Sequence, residues 1–250
     1  MTIFYFTGTG NSLAVAKSIE GNLISIPQVV DGSNLHYKDD AIGVIFPIYS
    51  FQEPKMVRQF LDKAKLEADY LFAIGTYGNM PGATMMNLQK RAEKKGYRFD
   101  YTNHLLMMHN SLTVSEIGKG LDKLPGKKVE EHMAKIVDDI KNRKRMNVSA
   151  GLGMRALTAA VASTIPKGES AKKYIVNSGC NKCGICSKVC PSKNITVSNK
   201  VNFHDRCEGC LACVHLCPQN AIHLKRERSD KRWRNPEVSL NEIIQANNRG

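Results

Sequence analysis

The sequence contains no apolar run long enough to cross a bilayer. A membrane-spanning helix needs about 20 consecutive apolar residues, and no stretch of the 250 residues has that character. The chain opens on a short apolar segment at residues 2–6 instead of the basic region and long apolar core of a secretory signal. We therefore expect a cytoplasmic protein without a membrane span.

Acidic residues are scarce relative to basic ones. The chain has 23 Asp and Glu against 36 Lys and Arg, which gives a net charge of +13. Such a surplus is typical of proteins that meet nucleic acid, an anionic membrane or an acidic protein. The basic residues are densest at 141–145 and 225–234. We interpret both runs first as solvated surface and second as docking sites for an acidic partner, and we rank nucleic acid below these.

Two common nucleotide-binding signatures are missing from the first loop of the chain. Leu13 stands where the dinucleotide pattern G-x-G-x-x-G requires its third glycine, and no Gly-Lys-Ser/Thr of a Walker loop follows. What remains is a turn between an apolar strand and a helix, rich in hydroxyl and amide groups and without a cation. Such a turn suits a phosphate monoester, and an ordinary turn is the alternative. The candidate phosphate ligands are Thr7, Gly8, Thr9, Gly10, Asn11 and Ser12.

Cysteine is absent before position 180, and all eight cysteines lie in one stretch of the chain. They form two runs with the spacing C-x₂-C-x₂-C-x₃-C-P, which is the ligand pattern of a bacterial ferredoxin with two 4Fe–4S clusters. In this pattern the fourth cysteine of each run ligates the other cluster. The predicted ligand sets are Cys180, Cys183, Cys186 and Cys217 for one cluster, and Cys207, Cys210, Cys213 and Cys190 for the other.

Zinc and disulfides are the alternative uses of these cysteines. Paired zinc sites have longer gaps between two C-x₂-C pairs and often recruit histidine, and cysteines this close in sequence pair poorly as disulfides. The two runs also repeat with a period of 27 residues, so that apolar Val176 and Phe203 precede them and Ile195 and Ile222 follow them. We expect these apolar residues to pack around the clusters.

Strand and helix patterns alternate ahead of the cysteines. Apolar strand patterns cover residues 2–6, 22–26, 41–46, 70–75 and 97–108. Helical patterns begin at Leu13 and near Pro54 and cover 83–95, 127–145 and 149–165. This alternation predicts an α/β fold with a parallel sheet covered on both faces, and ligands bind such sheets beyond the carboxyl ends of the strands. We expect the helix at 149–165, rich in small residues, to pack closely between two domains.

These features resemble a known protein family. Residues 1–145 resemble a flavodoxin, and the whole chain resembles the flavodoxin–ferredoxin fusion proteins of anaerobic bacteria and archaea. The resemblance implies a five-stranded parallel sheet of order 2-1-3-4-5, a small α+β ferredoxin-like domain, and FMN beside two 4Fe–4S clusters. A typical flavodoxin surface is acidic, whereas this chain is basic.

The resemblance also implies a site for FMN. Residues 7–12 would bind its phosphate, and two later loops would enclose its ring. The ring-binding candidates are Pro47, Ile48, Tyr49, Ser50, Phe51, Thr76, Tyr77, Gly78, Asn79 and Gly82. We expect Tyr49 and Tyr77 to flank the ring because an aromatic face suits it, although either could simply fill its own loop.

The organisation that follows has four parts. Residues 1–145 form the FMN domain, 146–172 a helical connector, 173–226 the two-cluster domain, and 227–250 a basic tail with a short helix. We expect an electron-transfer protein that couples one-electron and two-electron steps for a redox partner protein, possessing no catalytic residues of its own. Either a monomer or a homodimer is compatible with the sequence.

Two other functions remain open at this point. One is a flavin-dependent reductase of a small substrate or quinone, for which an open pocket with a proton donor such as His104 or His109 would speak. The other is a redox sensor that binds nucleic acid, for which salt-sensitive binding to polyanions would speak.

Overall fold

A computed structural model describes residues 1–164 and 173–248. In chain order its strands are β1 (Thr2–Tyr5), β2 (Asn22–Ser25), β3 (His36–Lys38), β4 (Ala41–Pro47), β5 (Lys65–Glu67), β6 (Tyr70–Tyr77), β7 (Tyr101–Leu106), β8 (Met146–Asn147), β9 (Tyr174–Val176), β10 (Ile195–Val197), β11 (Val201–Phe203) and β12 (Ile222–Leu224). Its helices are α1 (Asn11–Ser18), α2 (Ile26–Val29), α3 (Lys55–Lys63), α4 (Thr84–Lys94), α5 (Ile117–Asp122), α6 (Val129–Lys141), α7 (Leu152–Thr164), α8 (Ile185–Lys188), α9 (Ala212–His215) and α10 (Leu240–Asn247), with a 3₁₀ turn at Pro125–Lys127.

The largest element is a parallel sheet of order β2-β1-β4-β6-β7-β8. Its first five strands are the five that the sequence predicts, in the flavodoxin-like order 2-1-3-4-5, so the predicted fold class is confirmed. The strand β4 reads Ala-Ile-Gly-Val-Ile-Phe-Pro and is buried up to its last residue, as expected for a strand covered on both faces.

Helices cover the two faces of this sheet. Apolar residues of α1 and α6, among them Val15 and Ile140, pack on one face. On the other face lie α3 and α4, with Phe60 and Leu88 in the core. The sheet is therefore doubly wound, and its loops at the carboxyl edge are left to form a site.

Three details of this region differ from the sequence prediction. The fifth strand is shorter than expected at both ends, because only Tyr101–Leu106 is in strand conformation. A sixth strand, β8, pairs with the start of β7 through only two residues. The short strands β3 and β5 form a separate parallel pair. Two- and three-residue strands carry too few alternating side chains to leave a periodic signal.

The cysteine-rich region repeats in structure with the period that it has in sequence. The strand β11 lies 27 residues after β9, and α9 and β12 lie the same distance after α8 and β10. Pairing crosses the repeat, because β9 pairs antiparallel with β12 while β10 pairs with β11. Val176 thus lies opposite Ile222, and Ile195 opposite Phe203, so the four apolar residues singled out by the repeat pair across the two small sheets.

The helix α7 does not pack as the sequence suggests. Most of its side chains are exposed, including Leu152 at 78% and Leu157 at 40%. Thr158 is its buried residue, and its Oγ1 accepts a hydrogen bond of 2.9 Å from the backbone N–H of Ala83. Close packing between two domains is therefore wrong for this helix, and the predicted end at Ile165 lies outside the described residues. Across the described ranges, no helix is long and apolar enough to cross a membrane.

The last helix, α10, returns to the beginning of the chain. Ser25 Oγ donates to the carbonyl of Ala246, and Lys17 Nζ lies 2.6 Å from Glu242 Oε1. Asn247 is fully buried, and its Nδ2 donates to the carbonyls of Thr7 and Val189, each at 3.1 Å. One side chain of the C-terminal helix therefore joins the first loop of the sheet to the residue before Cys190.

Candidate functional site

A cavity of about 630 Å³ opens at the carboxyl edge of the parallel sheet. Parallel strands end side by side, so their following loops meet at this edge. All three loops chosen from the sequence contribute to it. The predicted residues that line the cavity are Thr7, Gly8, Thr9, Asn11, Ser12, Pro47, Ile48, Tyr49, Ser50, Phe51, Thr76, Tyr77, Gly78 and Asn79. Gly10 and Gly82 do not line it.

Gly10 shapes the first loop from behind. Its backbone has a φ of 103°, in the left-handed region that favours glycine, and its N–H donates to Thr7 Oγ1 at 3.1 Å. A Cβ on Gly10 would lie 2.9 Å from Cβ of Asn235. Ser12 Oγ lies 2.8 Å from Thr76 Oγ1, which fixes the first loop to the third. The conformation of the first loop is thus fixed by its own hydrogen bond to Thr7, by the close approach of Asn235 and by the contact with Thr76.

The first turn of α1 fits a phosphate group. No side chain caps this helix, so its first backbone N–H groups are available to an anion at the positive end of the helix dipole. The side chains around it are neutral hydroxyls and amides, which donate hydrogen bonds to phosphate oxygens without adding charge. These donors fit the phosphate monoester of FMN.

The second loop is a tight turn with a strained backbone. Tyr49 and Gln52 exchange both backbone hydrogen bonds, at 2.8 and 3.0 Å, around Ser50 and Phe51, whose φ angles are 48° and 65°. Positive φ at both central positions is the geometry of a type I′ turn and is costly for a bulky residue such as phenylalanine. A Cβ on Gly82 would lie 2.7 Å from Cβ of Phe51, so Gly82 makes room for this turn from outside the cavity.

A fourth loop, at residues 108–114, completes the wall of the cavity. A Cβ on Gly78 would lie 2.4 Å from Cα of His109, so these two loops pack backbone to backbone. Asn110 Nδ2 donates to Thr9 Oγ1 at 2.5 Å. Of this segment the sequence pointed only to His109, as a proton donor for a reductase, because the segment follows the last strand of the expected sheet without a glycine-rich turn.

The two candidate histidines occupy different positions. His109 lines the cavity, and its Nδ1 hydrogen-bonds to Ser115 Oγ. Burial, followed by the nearby ammonium of Lys127, lowers the pKa of His109, so the ring is neutral at physiological pH. His104 lies on β7 outside the cavity lining and packs edge-on against Tyr77, with ring centroids 5.2 Å apart.

The cysteines gather in two sets around two small cavities. One set, here called the outer set, consists of Cys180, Cys183, Cys186 and Cys217. The other, here called the inner set, consists of Cys190, Cys207, Cys210 and Cys213. Each set therefore contains three cysteines of one run and the fourth cysteine of the other, which is the grouping that the crossed pattern predicts. None of the eight forms a disulfide bond.

Backbone N–H groups point at these sulfurs. Asn194 N lies 3.2 Å from Cys190 Sγ. Gly209 N lies 3.3 Å from Cys207 Sγ, and Ala221 N lies 3.3 Å from Cys217 Sγ. Four soft thiolate ligands with N–H donors around them fit a 4Fe–4S cluster. No three His, Cys, Asp or Glu side chains in the described part of the chain are placed to hold a single metal ion.

Burial affects several of these thiols. It raises the pKa of Cys186 to about 11, and it raises the pKa values of Cys210 and Cys213 further, with the neighbouring cysteines of the inner set adding to both shifts. A buried free thiol is therefore neutral at physiological pH, whereas a metal-bound cysteine is a thiolate.

The inner set adjoins the large cavity directly. A Cβ on Gly8 would lie 2.9 Å from the carbonyl oxygen of Cys210 and 2.9 Å from Tyr49 Oη. Cys210, Gly209 and Glu208 also line that cavity, whereas the outer set does not. The first loop of the sheet and the cysteine loop of the inner set are thus in van der Waals contact.

Glu208 lies between the two cavities and lines both. Burial raises the pKa of its carboxyl group, and the backbone N–H groups of Met56 and Lys55 at the start of α3 partly offset this. Its Oε2 is buried without a hydrogen-bond partner. The side chain holds the cysteine loop against α3.

Fold and paired cysteine runs together define an iron–sulfur protein of the ferredoxin type. Residues 172–218 match the 4Fe-4S dicluster domain family. The chain is 36% identical over 61 residues to ketoisovalerate oxidoreductase subunit VorC of Methanothermobacter marburgensis, an alignment that covers 20% of this chain and 77% of VorC. Through this C-terminal part, the chain belongs to the 4Fe-4S dicluster family.

Two pyruvate synthase subunits are relatives of similar extent. Subunit PorD of Methanocaldococcus jannaschii is 43% identical over 54 residues, which is 20% of this chain and 63% of that protein. Subunit PorD of Methanothermobacter marburgensis is 32% identical over 57 residues, which is 23% of this chain and 69% of that protein. The chain thus spans less than two thirds of the first PorD and slightly more than two thirds of the second.

Solved structures resemble this chain only distantly. A flavoprotein from Bacteroides uniformis has 16% identity and a TM-score of 0.32, covering 42% of this chain and 89% of its own. NAD(P)H:quinone oxidoreductase from Methanothermobacter marburgensis has 7% identity and a TM-score of 0.29, covering 60% of this chain and 97% of its own. The fold class therefore rests on the strand order of the sheet and not on these likenesses.

Proposed function

We propose that this chain is an electron-transfer protein that holds two 4Fe–4S clusters in its cysteine sets and FMN in the large cavity. The observation that carries the proposal is the contact between Gly8 and Cys210, because it brings a cysteine loop to the wall of a cavity suited to a flavin. When bound, such clusters exchange single electrons, and a flavin exchanges one or two.

The residues of the chain would have distinct tasks in this function. The first turn of α1 and residues 7–12 would hold the phosphate of FMN, and the loops with Tyr49 and Tyr77 would enclose its ring. The N–H groups of Asn194, Gly209 and Ala221 would stabilise negative charge on the cysteine sulfurs. Gly8, which leaves no space between its loop and Cys210, would keep the two sites close together.

The proposal extends to organisation and location. Because β8 pairs with β7, we place the end of the FMN-binding unit at Asn147 and keep residues 173–226 as the cluster-binding unit. We further propose a cytoplasmic protein that serves a redox partner protein. The relatives in the comparisons are named as subunits of a synthase and an oxidoreductase, which supports a partner of this kind.

The test is an anaerobic purification with cofactor analysis. We expect about eight irons and eight acid-labile sulfides per chain, together with one equivalent of FMN released by acid. A preparation that contains only zinc would contradict the cluster assignment. FAD, or the absence of any flavin, would contradict the assignment of the cavity.

A second candidate function is a reductase that acts on a small substrate at the flavin. The cavity volume of about 630 Å³ is typical of small-molecule sites. His109 lies in its wall, where its neutral ring would relay a proton, releasing one from Nε2 as Nδ1 accepts one from Ser115 Oγ. Steady-state assays of the holoprotein with soluble quinones test this function. A His109→Gln change should then lower turnover at least about tenfold while FMN remains bound, and equal turnover would exclude His109 as the donor.

A further inference from the structure

The two cysteine sets face different surroundings. Cys210 of the inner set lies in the wall of the large cavity, and no residue of the outer set does. Cys183 of the outer set is exposed to solvent. If the clusters and flavin bind as proposed above, the inner set faces the flavin and the outer set is the one that an external protein can approach.

The segment around the outer set carries only positive charge. Residues 173–204 contain no Asp or Glu, and they contain five lysines, namely Lys173, Lys182, Lys188, Lys193 and Lys200. The first acidic residue after them is Asp205. In a chain that also has 23 acidic residues, a stretch of this length without one concentrates positive potential on one part of the surface.

Two of these lysines belong to the segments that form the cavity of the outer set. Lys182 is exposed and lies between Cys180 and Cys183, where its φ of 60° turns the chain. Lys200 is exposed in the hairpin between β10 and β11, next to Val201, which lines the cavity of the outer set. Among the described residues, no carboxylate side chain lines that cavity. The solvent edge of the outer set is therefore flanked by ammonium groups.

The second basic run of the sequence is less suited to docking. Arg232 is only 11% exposed, and it bonds Glu227 Oε1 at 3.0 Å and the carbonyl of Ser229 at 2.9 Å. Glu227 also lies 2.7 Å from His223 Nδ1. Part of the charge in this run is thus neutralised inside the molecule.

We propose that the edge of the outer set around Cys183, flanked by Lys182 and Lys200, is the docking surface for an acidic electron-transfer protein. The proposal rests on the function proposed above. Positive and negative surfaces steer two proteins together and fix their orientation. Here Lys182 directly precedes Cys183, the most exposed of the eight thiols, and lines the same cavity. Each productive encounter moves one electron, so that one protein is oxidised and the other reduced by one, with no bond formed or broken.

Zero-length cross-linking tests this docking surface. A carbodiimide joins a lysine to a carboxylate that touches it, so we would treat the anaerobically purified holoprotein with a purified acidic two-cluster ferredoxin and map the joined peptides by mass spectrometry. We expect cross-links at Lys182 and Lys200. Because the variant Lys182→Glu/Lys200→Glu also lacks the two reacting amines, its readout is the dissociation constant of the complex at low ionic strength. This constant should rise at least about tenfold, because each charge reversal removes an attraction and adds a repulsion.

The control reverses two exposed lysines on α4, Lys90→Glu and Lys94→Glu, and should cross-link like the unaltered protein. The single change Lys200→Glu, in a hairpin turn, repeats the test should the double variant lose its clusters. Cross-links confined to 141–145 or 225–234, or none at all, overturn the proposal. Binding of heparin, a polyanion, at Lys182 and Lys200 without any binding of the ferredoxin would also overturn the proposal. That result would indicate a nucleic-acid surface.

Cofactor analysis of the same preparation separates this proposal from the one on which it rests. Full iron, sulfide and FMN content with cross-links elsewhere means that the docking surface is wrong and the proposed function stands. A preparation without clusters contradicts the proposed function, and the docking surface with it.

Discussion

At the scale of single residues, Gly8 lies at the junction of the two candidate sites. The first loop of the sheet meets Cys210 and Tyr49 there. A Cβ on Gly8 would lie 2.9 Å from the carbonyl oxygen of Cys210 and 2.9 Å from Tyr49 Oη. Overpacking of this kind costs about 1–3 kcal/mol. We therefore expect Gly8→Ala to weaken FMN binding at least about tenfold, measured by fluorescence titration of the flavin-depleted protein.

Gly153→Ala is the matched control for this change. A Cβ on Gly153 meets nothing within 4 Å, so its affinity for FMN should equal that of the unaltered chain. Equal affinity in the Gly8→Ala variant as well would show that the contact with Cys210 has no part in the flavin site.

Cys190 tests the crossed grouping of the thiols. It belongs to the first cysteine run but lies with Cys207, Cys210 and Cys213 in the inner set. Changing Cys190 to Ala should remove about half of the iron and sulfide and abolish the electron paramagnetic resonance signal of the inner cluster. Cys217→Ala is the complementary variant and should abolish the signal of the outer cluster. The reverse result, with Cys190→Ala affecting the outer cluster, would mean that each run serves its own cluster.

At the scale of elements, the C-terminal helix α10 packs against the first part of the chain, including Lys17 and Ser25. Glu242 accepts hydrogen bonds from the backbone and side chain of Ser239 and from Lys17. The bond from Lys17, followed by those from Ser239, lowers the pKa of Glu242 to about 2. A lowered pKa in the folded state means that the ionised carboxylate stabilises the docked helix above the unfolded pKa of about 4.3, and that this stabilisation disappears as the pH falls towards 2.

We therefore expect Glu242→Gln to weaken the docking of α10 at pH 7, by about 1 kcal/mol or less because the pair is partly exposed. Hydrogen exchange of the amides of α10 measures this difference, which should stay constant from pH 8 to about 5 and shrink below about pH 4.5. Glu237→Gln removes a charge from the same segment and serves as the control. A difference that persists unchanged at pH 3 would show that the charge of Glu242 does not stabilise the helix.

The sequence predicts the regular elements of this fold and misses the irregular ones for a physical reason. Strands such as β4 and β6 are continuous apolar runs, and the spacing of the cysteines determines which thiols can meet. The loop with His109 and Asn110 joins the cavity through contacts with residues such as Gly78 and Thr9, which lie about 30 and 100 residues away in sequence. Contacts at such distances leave no local pattern.

Contacts between residues distant in sequence also determine where the C-terminal segment packs. Its pattern predicts a short helix, and α10 is one. Nothing local reveals that Asn247 will be buried against the carbonyls of Thr7 and Val189, because it is itself polar and polar Asn248 and Arg249 follow it. A buried asparagine is stable only where its amide has hydrogen-bond partners, and here those partners come from distant parts of the chain.

At the scale of the whole molecule, the outer set has the exposed thiol, and the inner set adjoins the cavity at the sheet through the contact of Cys210 with Gly8. We infer from this that electrons pass through the outer set, the inner set and the cavity in that order or its reverse. Such an order suits a protein that receives electrons at one end and delivers them at the other. The direction of flow depends on reduction potentials, which burial and hydrogen bonds to the sulfurs adjust.

Anaerobic stopped-flow spectroscopy tests this order most directly. The holoprotein is mixed with increasing concentrations of a reduced acidic ferredoxin, and the iron–sulfur and flavin absorbances are followed separately. We expect the iron–sulfur absorbance to fall first, at a rate proportional to donor concentration, and the flavin absorbance to fall afterwards at a rate that does not depend on it. Flavin reduction in a single phase proportional to donor concentration, without earlier change at the clusters, would contradict the account.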